Sequence, residues 1–242
     1  MHVEQWGNGP PVVLVHGSVT GGRLTWSGQR PLAERFGLVV MDRPGYGASP
    51  PAGPEDFEGD AGLVAEVLGE GAHLVGHSYG GVVSLLAAAR RPEAVWSLTV
   101  IEPPAFALAR GVPEVDALVE QLKAHWRSGP RDPETFLRRF LELVGSAVSL
   151  PSPLPPLLAQ GARVLLTERG PWEADIPLDA LRAASFPVLA VSGAHSRAFD
   201  AVCDALELGA SARRAVIPGA GHSVQRAGAP FNAVLESFLR GE

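Results

Sequence analysis

Nucleophilic acyl transfer needs a serine lifted clear of the backbone, a histidine to take its proton, and a carboxylate to orient the histidine. The sequence presents a serine in such a setting at Ser78, inside Gly76-His77-Ser78-Tyr79-Gly80, a G-x-S-x-G pentapeptide. The apolar run Ala72 to Val75 precedes it, and the Ala-rich apolar run Val82 to Arg90 follows. With the first run as a strand and the second as a helix, Ser78 occupies a sharp turn at a strand's carboxyl end. Small residues two before and two after the serine let strand and helix approach closely. The chain has 242 residues with 28 Gly, so chance alone supplies roughly 0.2 such pentapeptides. A glycine-rich turn carrying a solvated serine is the bland alternative, and the surroundings must decide.

The other groups end strands as well. Arg214 to Ile217 reads as a short strand running into Pro218-Gly219-Ala220-Gly221-His222. A serine hydroxyl is a poor nucleophile until a base takes its proton, and His222 is a side chain suited to that near neutral pH. Negative charge developing on a substrate oxygen needs preorganised donors. The backbone N–H of Tyr79, at the start of the helix, is one. The turn His16-Gly17-Ser18 after the apolar run Val12 to Val15 offers the other, through Ser18 in preference to Val19.

The elements that position these groups alternate. Val12 to Val15, Leu38 to Met41, Ala72 to Val75, Trp96 to Ile101, Phe186 to Val191 and Arg214 to Ile217 read as strands. A helix-like segment runs from Thr25 or Trp26 to Phe36, and Leu63, Val64, Val67 and Leu68 have helical spacing. Helices also follow Ser78, at Phe199 to Leu208 and at Phe231 to Leu239. Strands alternating with helices predict an α/β fold with a mostly parallel central sheet and helices on both faces. In such a sheet, sites lie at the carboxyl ends of the strands, where His16-Gly17-Ser18, Asp42, Ser78, Glu102, Ser192-Gly193 and His222 all fall. Pro50 to Asp60 is an acidic connector rich in Pro and Gly. From Pro103 to Ala184 the rhythm breaks, with helical stretches at Val115 to Trp126 and Pro133 to Val144 and a Pro-rich run from Pro151 to Pro156. The expected division is a core of 1–102 and 185–242, with 103–184 inserted as a helical subdomain.

Composition bounds the rest. Hydrophobic residues make up 46% and charged residues 19%, as in a globular chain, and the net charge of −6 comes with no basic cluster to hold nucleic acid. Cys203 stands alone, which excludes an intrachain disulfide or a cysteine zinc site and suggests a reducing compartment. The first residues carry no signal-peptide pattern, and no apolar run reaches the ~18 residues of a membrane helix. A cytoplasmic protein acting on a small molecule, without cofactor, metal, membrane or nucleic-acid partner, is expected; the oligomeric state stays open.

Taken together and in this order, H-G-x after a strand, D-R-P-G-Y-G-x-S, G-H-S-Y-G-G and G-A-G-H resemble an α/β-hydrolase-fold protein over nearly the whole length. The resemblance implies Ser78 as nucleophile, His222 as base, Ser18 and Tyr79 as oxyanion donors, and 103–184 as a cap, or lid, over the pocket. A serine at the elbow speaks against the dehalogenase and epoxide-hydrolase branches, which carry Asp there. The acid departs from the family pattern: the usual position, about three residues past Gly193, is Ser196. Two carboxylates remain, Glu102 after the strand that follows the nucleophile helix, and Asp200 on the first turn of the next helix. Glu102 is preferred because a strand end is rigid, whereas Asp200 needs its loop to fold back. His77 reads as packed, His16 as ordering the oxyanion turn, and Asp42 and Arg43 as pinning their loop. His195 lies where the acid normally does and is a candidate pocket residue. His2, His73 and His125 read as solvated or satisfied, and Cys203 as core. Phe106, Leu108, Trp126 and Trp172 are the expected apolar lining. The leading expectation is a serine hydrolase cleaving a small, largely apolar carboxylic ester through an acyl-enzyme. C–C bond hydrolysis, lyase or other cofactor-free chemistry on the same triad is an alternative, and a non-catalytic ligand-binding protein is another.

Overall fold

The computed structural model describes residues 1–51, 53, 56–146 and 148–242. Ala52, Pro54 and Glu55 of the Pro50 to Asp60 connector and Ala147 of the inserted segment lie outside the described residues. The chain runs β1 (His2–Trp6), β2 (Pro11–Val15), α1 (Gly22–Thr25), β3 (Gly37–Asp42), α2 (Phe57–Val67), β4 (Ala72–His77), α3 (Tyr79–Arg90) and β5 (Val95–Ile101). It continues through α4 (Pro113–Ser128), α5 (Pro133–Leu143), α6 (Pro156–Leu165) and α7 (Leu178–Ala183). It closes with β6 (Val188–Ser192), α8 (Arg197–Ala210), β7 (Arg213–Val216) and α9 (Ala229–Leu239).

Among the described residues the strands form one seven-stranded sheet in the order β1-β3-β2-β4-β5-β6-β7. Only the β1–β3 pairing is antiparallel; the others are parallel. Alternate residues of each buried strand point to opposite faces. Val13 and Val15 of β2 therefore join α2, α3 and α8 in one apolar layer, while Val12 and Leu14 meet Trp26, Phe231 and Leu235 in the other. Both layers are apolar, so β2 reads as a continuous Val/Leu run.

Two local features differ from the sequence expectation. β1 went unpredicted because it is an edge strand in which Trp6 alone is buried, leaving no apolar signal. The segment expected to be helix-like up to Phe36 is the short α1 followed by 3-10 turns over Ser27–Glu34, with Pro31 inside. A proline in that position cannot donate to a continuing α ladder.

The chain proceeds from β2 to β3 on one side and then to β4 on the other. This reversal of direction opens a crevice outside the carboxyl ends of β2 and β4. Between β5 and β6 lie α4 to α7 and two 3-10 turns, with no strand among the described residues. α5 begins where the sequence predicts: Asp132 caps it by accepting from the Thr135 N–H at 2.9 Å, with Pro133 in the first helical turn. Phe136, Leu137, Ala162 and Leu165 of α5 and α6 pack on Val19, just beyond β2. This packing seats the inserted helices over the crevice.

Candidate active site

Ser78 sits between β4 and α3 at φ 52° and ψ −125°, a left-handed geometry that costs a non-glycine residue of order 1–3 kcal/mol. The turn is held by Ser78 N–H donating to Ile101 O at 2.8 Å. Glycine is required on both sides. A Cβ on Gly76 would overlap Gly80 O and Ser84 Oγ, and one on Gly80 would overlap the Val15 and His16 carbonyls.

The structure brings together three of the sequence-predicted residues. His222 Nε2 lies 3.0 Å from Ser78 Oγ, and His222 Nδ1 lies 3.5 Å from Glu102 Oε2. Glu102 follows β5 with φ 48° and is fully buried. Its Oε1 accepts from Gly193 N–H at 2.7 Å. Burial alone would raise its carboxyl, but His195, His222 and the Gly193 N–H outweigh that and hold it at about 2. His77 Nε2–H donates to the His222 carbonyl at 3.0 Å, so the elbow's own variable residue fixes the backbone of His222.

Asp200, the alternative acid, is elsewhere. It lies on the first turn of α8, where its Oδ1 accepts from Ser192 Oγ–H at 2.6 Å and lies 3.5 Å from Arg214. Its side chain is thereby engaged by Ser192 of β6 and Arg214 of β7.

The turn after β2 is organised from beneath. His16 Nε2 accepts from Arg43 N–H at 2.8 Å, and its Nδ1–H donates to Gly17 O at 2.6 Å. Neither the Ser18 nor the Tyr79 backbone N–H donates to another protein group among the described residues. Burial lowers both His16 and His77 from 6.5 to about 3. The unfolded chain therefore takes up protons that the fold refuses. Stability from these two residues is full above about pH 6.5 and falls as the pH drops toward 3, by about 1.4 kcal/mol per pH unit for each. Urea midpoints measured between pH 7 and 5 should decline accordingly. A midpoint flat over that range would contradict the neutral burial of both rings.

Sequence reading missed Glu168. It lies between α6 and α7 and is 3% exposed. Its Oε1 accepts from Arg43 Nη2–H and from Tyr46 O–H, both at 2.9 Å, and its Oε2 accepts from Ser18 Oγ–H at 2.5 Å. Arg43 also donates to Asp60 Oδ2 at 2.7 Å, and its guanidinium stacks 4.3 Å from the Tyr79 ring centroid. Burial disfavours the Arg43 charge, but Asp60 and Glu168 outweigh that and raise its pKa. Arg43→Met would leave two buried carboxylates without this counter-charge, a loss of about 3–5 kcal/mol. Denaturant unfolding should show it, and a change below about 1 kcal/mol would mean that water reaches the pair.

A narrow cavity with about 20 Å³ of free space opens on Ser78, walled by Phe106, Leu122, Trp126, Phe140, Trp172 and Phe199. Of the four residues expected to line it, Leu108 does not, and packs instead against the main core. A second, more polar cavity touches Ser78 from the other side and is bordered by His222, Ser223 and Arg226. His125 is buried, stacked on Phe136, with its ring nitrogen bonded to the Phe136 carbonyl at 3.0 Å. His73 pairs with Ser97 Oγ and His2 with Asp42. Cys203 is buried, and burial pushes its thiol up to about 12. Glu102, His195 and His222 present ligand atoms within 4.8 Å of one another and form a metal-capable group among the described residues. No helix among them is long and apolar enough to cross a membrane.

A profile of the alpha/beta hydrolase family matches residues 12–234. The chain is 38% identical over 175 residues to a pimeloyl-(acyl-carrier protein) methyl ester esterase of Methylococcus capsulatus, covering 72% of this chain and 66% of the relative. It thus spans just under two thirds of that protein's length. An esterase of the same name from Vibrio campbellii is 32% identical over 215 residues, covering 80% and 79% of the two chains. Among solved structures, a bacterial membrane phospholipase A superposes with a TM-score of 0.76 at 26% identity, over 99% of this chain and 82% of that one.

Proposed function

The chain belongs to the alpha/beta hydrolase family, and from that premise we propose that it is a serine esterase cleaving a small, largely apolar carboxylic ester through an acyl-enzyme on Ser78. One observation carries the reading: His222 Nε2 stands 3.0 Å from Ser78 Oγ at the mouth of an apolar cavity. His222 takes the Ser78 proton as the hydroxyl attacks the ester carbonyl, then returns it to the departing alcohol. Glu102 keeps the imidazole proton on Nδ1, so that Nε2 is free to accept. The Ser18 and Tyr79 N–H groups stabilise the oxyanion, each worth about 10²–10³ in rate. Water activated by His222 then releases the acid and restores Ser78. A carboxylate beside His222 favours this chemistry over a purely ligand-binding role.

Residues 103–184 form the cap in this reading, supported by Phe106, Trp126 and Trp172 standing over Ser78 from between β5 and β6. The aromatic cavity takes the acyl chain, and the polar side near Arg226 takes the alcohol. The relatives' names point to an ester of a small alcohol. The lone buried Cys203 agrees with a cytoplasmic setting.

A fluorophosphonate should label the folded protein once, at Ser78, and mass spectrometry would locate the adduct. p-Nitrophenyl acetate and butyrate should be turned over faster than the laurate, because the aromatic walls leave little free space beside Ser78. Folded protein that takes no label and turns over none of these esters would sink the reading.

A further inference from the structure

His195 has a nitrogen that the esterase reading does not use. Its Nε2 lies 3.1 Å from the Val144 carbonyl, at the end of α5, and can only donate there. In the neutral ring this leaves the lone pair on Nδ1. That atom is buried, has no hydrogen-bond partner among the described residues, and faces Glu102 Oε2 at 3.5 Å. Glu102 beside it favours the charged ring, so a proton on Nδ1 can meet the carboxylate there, and a metal ion would take that proton's place. His222 Nδ1 also lies 3.5 Å from this Oε2, and the three atoms lie within 4.8 Å of one another.

We propose that Glu102 Oε2, His195 Nδ1 and His222 Nδ1 form an inhibitory site for one Zn²⁺ ion. Both separations exceed a good hydrogen bond, which closes to about 2.7–3.2 Å. They suit a shared ion as well: tetrahedral zinc, with bonds of about 2.0–2.2 Å, spaces its ligands roughly 3.4 Å apart. Two imidazoles and one carboxylate suit zinc, with the fourth position left to water. The surroundings are those of metal ligands. The second nitrogen of His195 is committed to a backbone carbonyl, which fixes its tautomer, and the second oxygen of Glu102 is committed to the Gly193 N–H. Positive φ at Glu102 and Ala194 turns the two loops toward one point.

Zinc at this place stops the proposed reaction for a reason of proton position. A neutral His222 that gives its Nδ1 lone pair to the ion must carry its proton on Nε2. It then donates toward Ser78 and cannot accept from it. Binding moves that one proton from Nδ1 to Nε2 and involves no redox change. Inhibition rests on the esterase reading, whereas binding does not.

The test is calorimetric titration of the full chain with ZnCl₂, alongside ester hydrolysis. One Zn²⁺ per chain is expected at micromolar concentration, with activity lost in step and restored by EDTA. His195→Phe, which keeps an aromatic ring against Phe199, and His195→Gln should each bind Zn²⁺ at least tenfold more weakly, and whatever esterase activity each retains should resist Zn²⁺ to the same degree. No binding up to millimolar Zn²⁺ would overturn the proposal, as would equal binding in both variants. So would binding that vanishes in His2→Ala, which would put the ion at the surface His2–Asp42 pair. Stoichiometric binding that depends on His195, in a chain without esterase activity, would uphold the site and sink the functional reading alone.

Discussion

Ser78→Ala is expected to lower kcat for ester hydrolysis by about 10⁶-fold, and adding His222→Ala to it should cost almost nothing more. Nucleophile and base act as one unit: without the hydroxyl there is nothing for His222 Nε2 to deprotonate, and without the base the hydroxyl stays protonated. The residual rate would come from the oxyanion donors and the pocket alone, about 10³–10⁴ over water. The fold should be unaffected, because the backbone at Ser78 is held by its N–H to the Ile101 carbonyl and by the glycines around it. Alanine inherits the same left-handed φ and the same strain. Steady-state kinetics with matched unfolding curves check both halves. A Ser78→Ala protein within tenfold of the parent would assign the activity to another group.

Ser78 was legible in the sequence because it follows a buried strand run, and His222 because a glycine-rich turn follows the short β7, although β7 itself is not buried; a parallel sheet gathers such ends at one rim. Gly76 and Gly80 mark the close approach that their positions impose. Glu102 was legible for the same reason, whereas the partners of its rival Asp200, Ser192 and Arg214, show only in the folded chain. Glu168 left no trace of this kind. It sits in a turn without periodicity, and its partners Ser18 and Arg43 precede it by 150 and 125 residues. A buried carboxylate of that sort is recognised by its counter-charge, which only the folded chain supplies. The lone pair of His195 is similar, since the Val144 carbonyl, 51 residues earlier, sets its tautomer. β1 escaped because an edge strand with one buried residue has no pattern to read.

Glu102→Gln is expected to cost about 10⁴ in kcat, while Asp200→Asn stays within a few-fold of the parent. The two substitutions are chemically alike, each turning a carboxylate into an amide of the same size, so only position separates them. At Glu102 the amide nitrogen can donate to His222 Nδ1, which then holds a lone pair and sends the ring proton to Nε2. That is the wrong tautomer for taking a proton from Ser78. The Gly193 N–H can still reach the amide oxygen, so the strand end should keep its shape. At Asp200 the amide faces Ser192 and Arg214. Losing a charge-assisted bond there should lower stability by about 1.5–3 kcal/mol without touching the tautomer. Both variants should therefore melt earlier, since the depressed carboxyl of Glu102 also supports the fold at neutral pH, and kcat is what separates them. If Asp200→Asn proved the slow enzyme and Glu102→Gln kept its kcat, the His222 loop would have to rearrange on binding ester, and Glu102 would revert to a buried strand-end carboxylate.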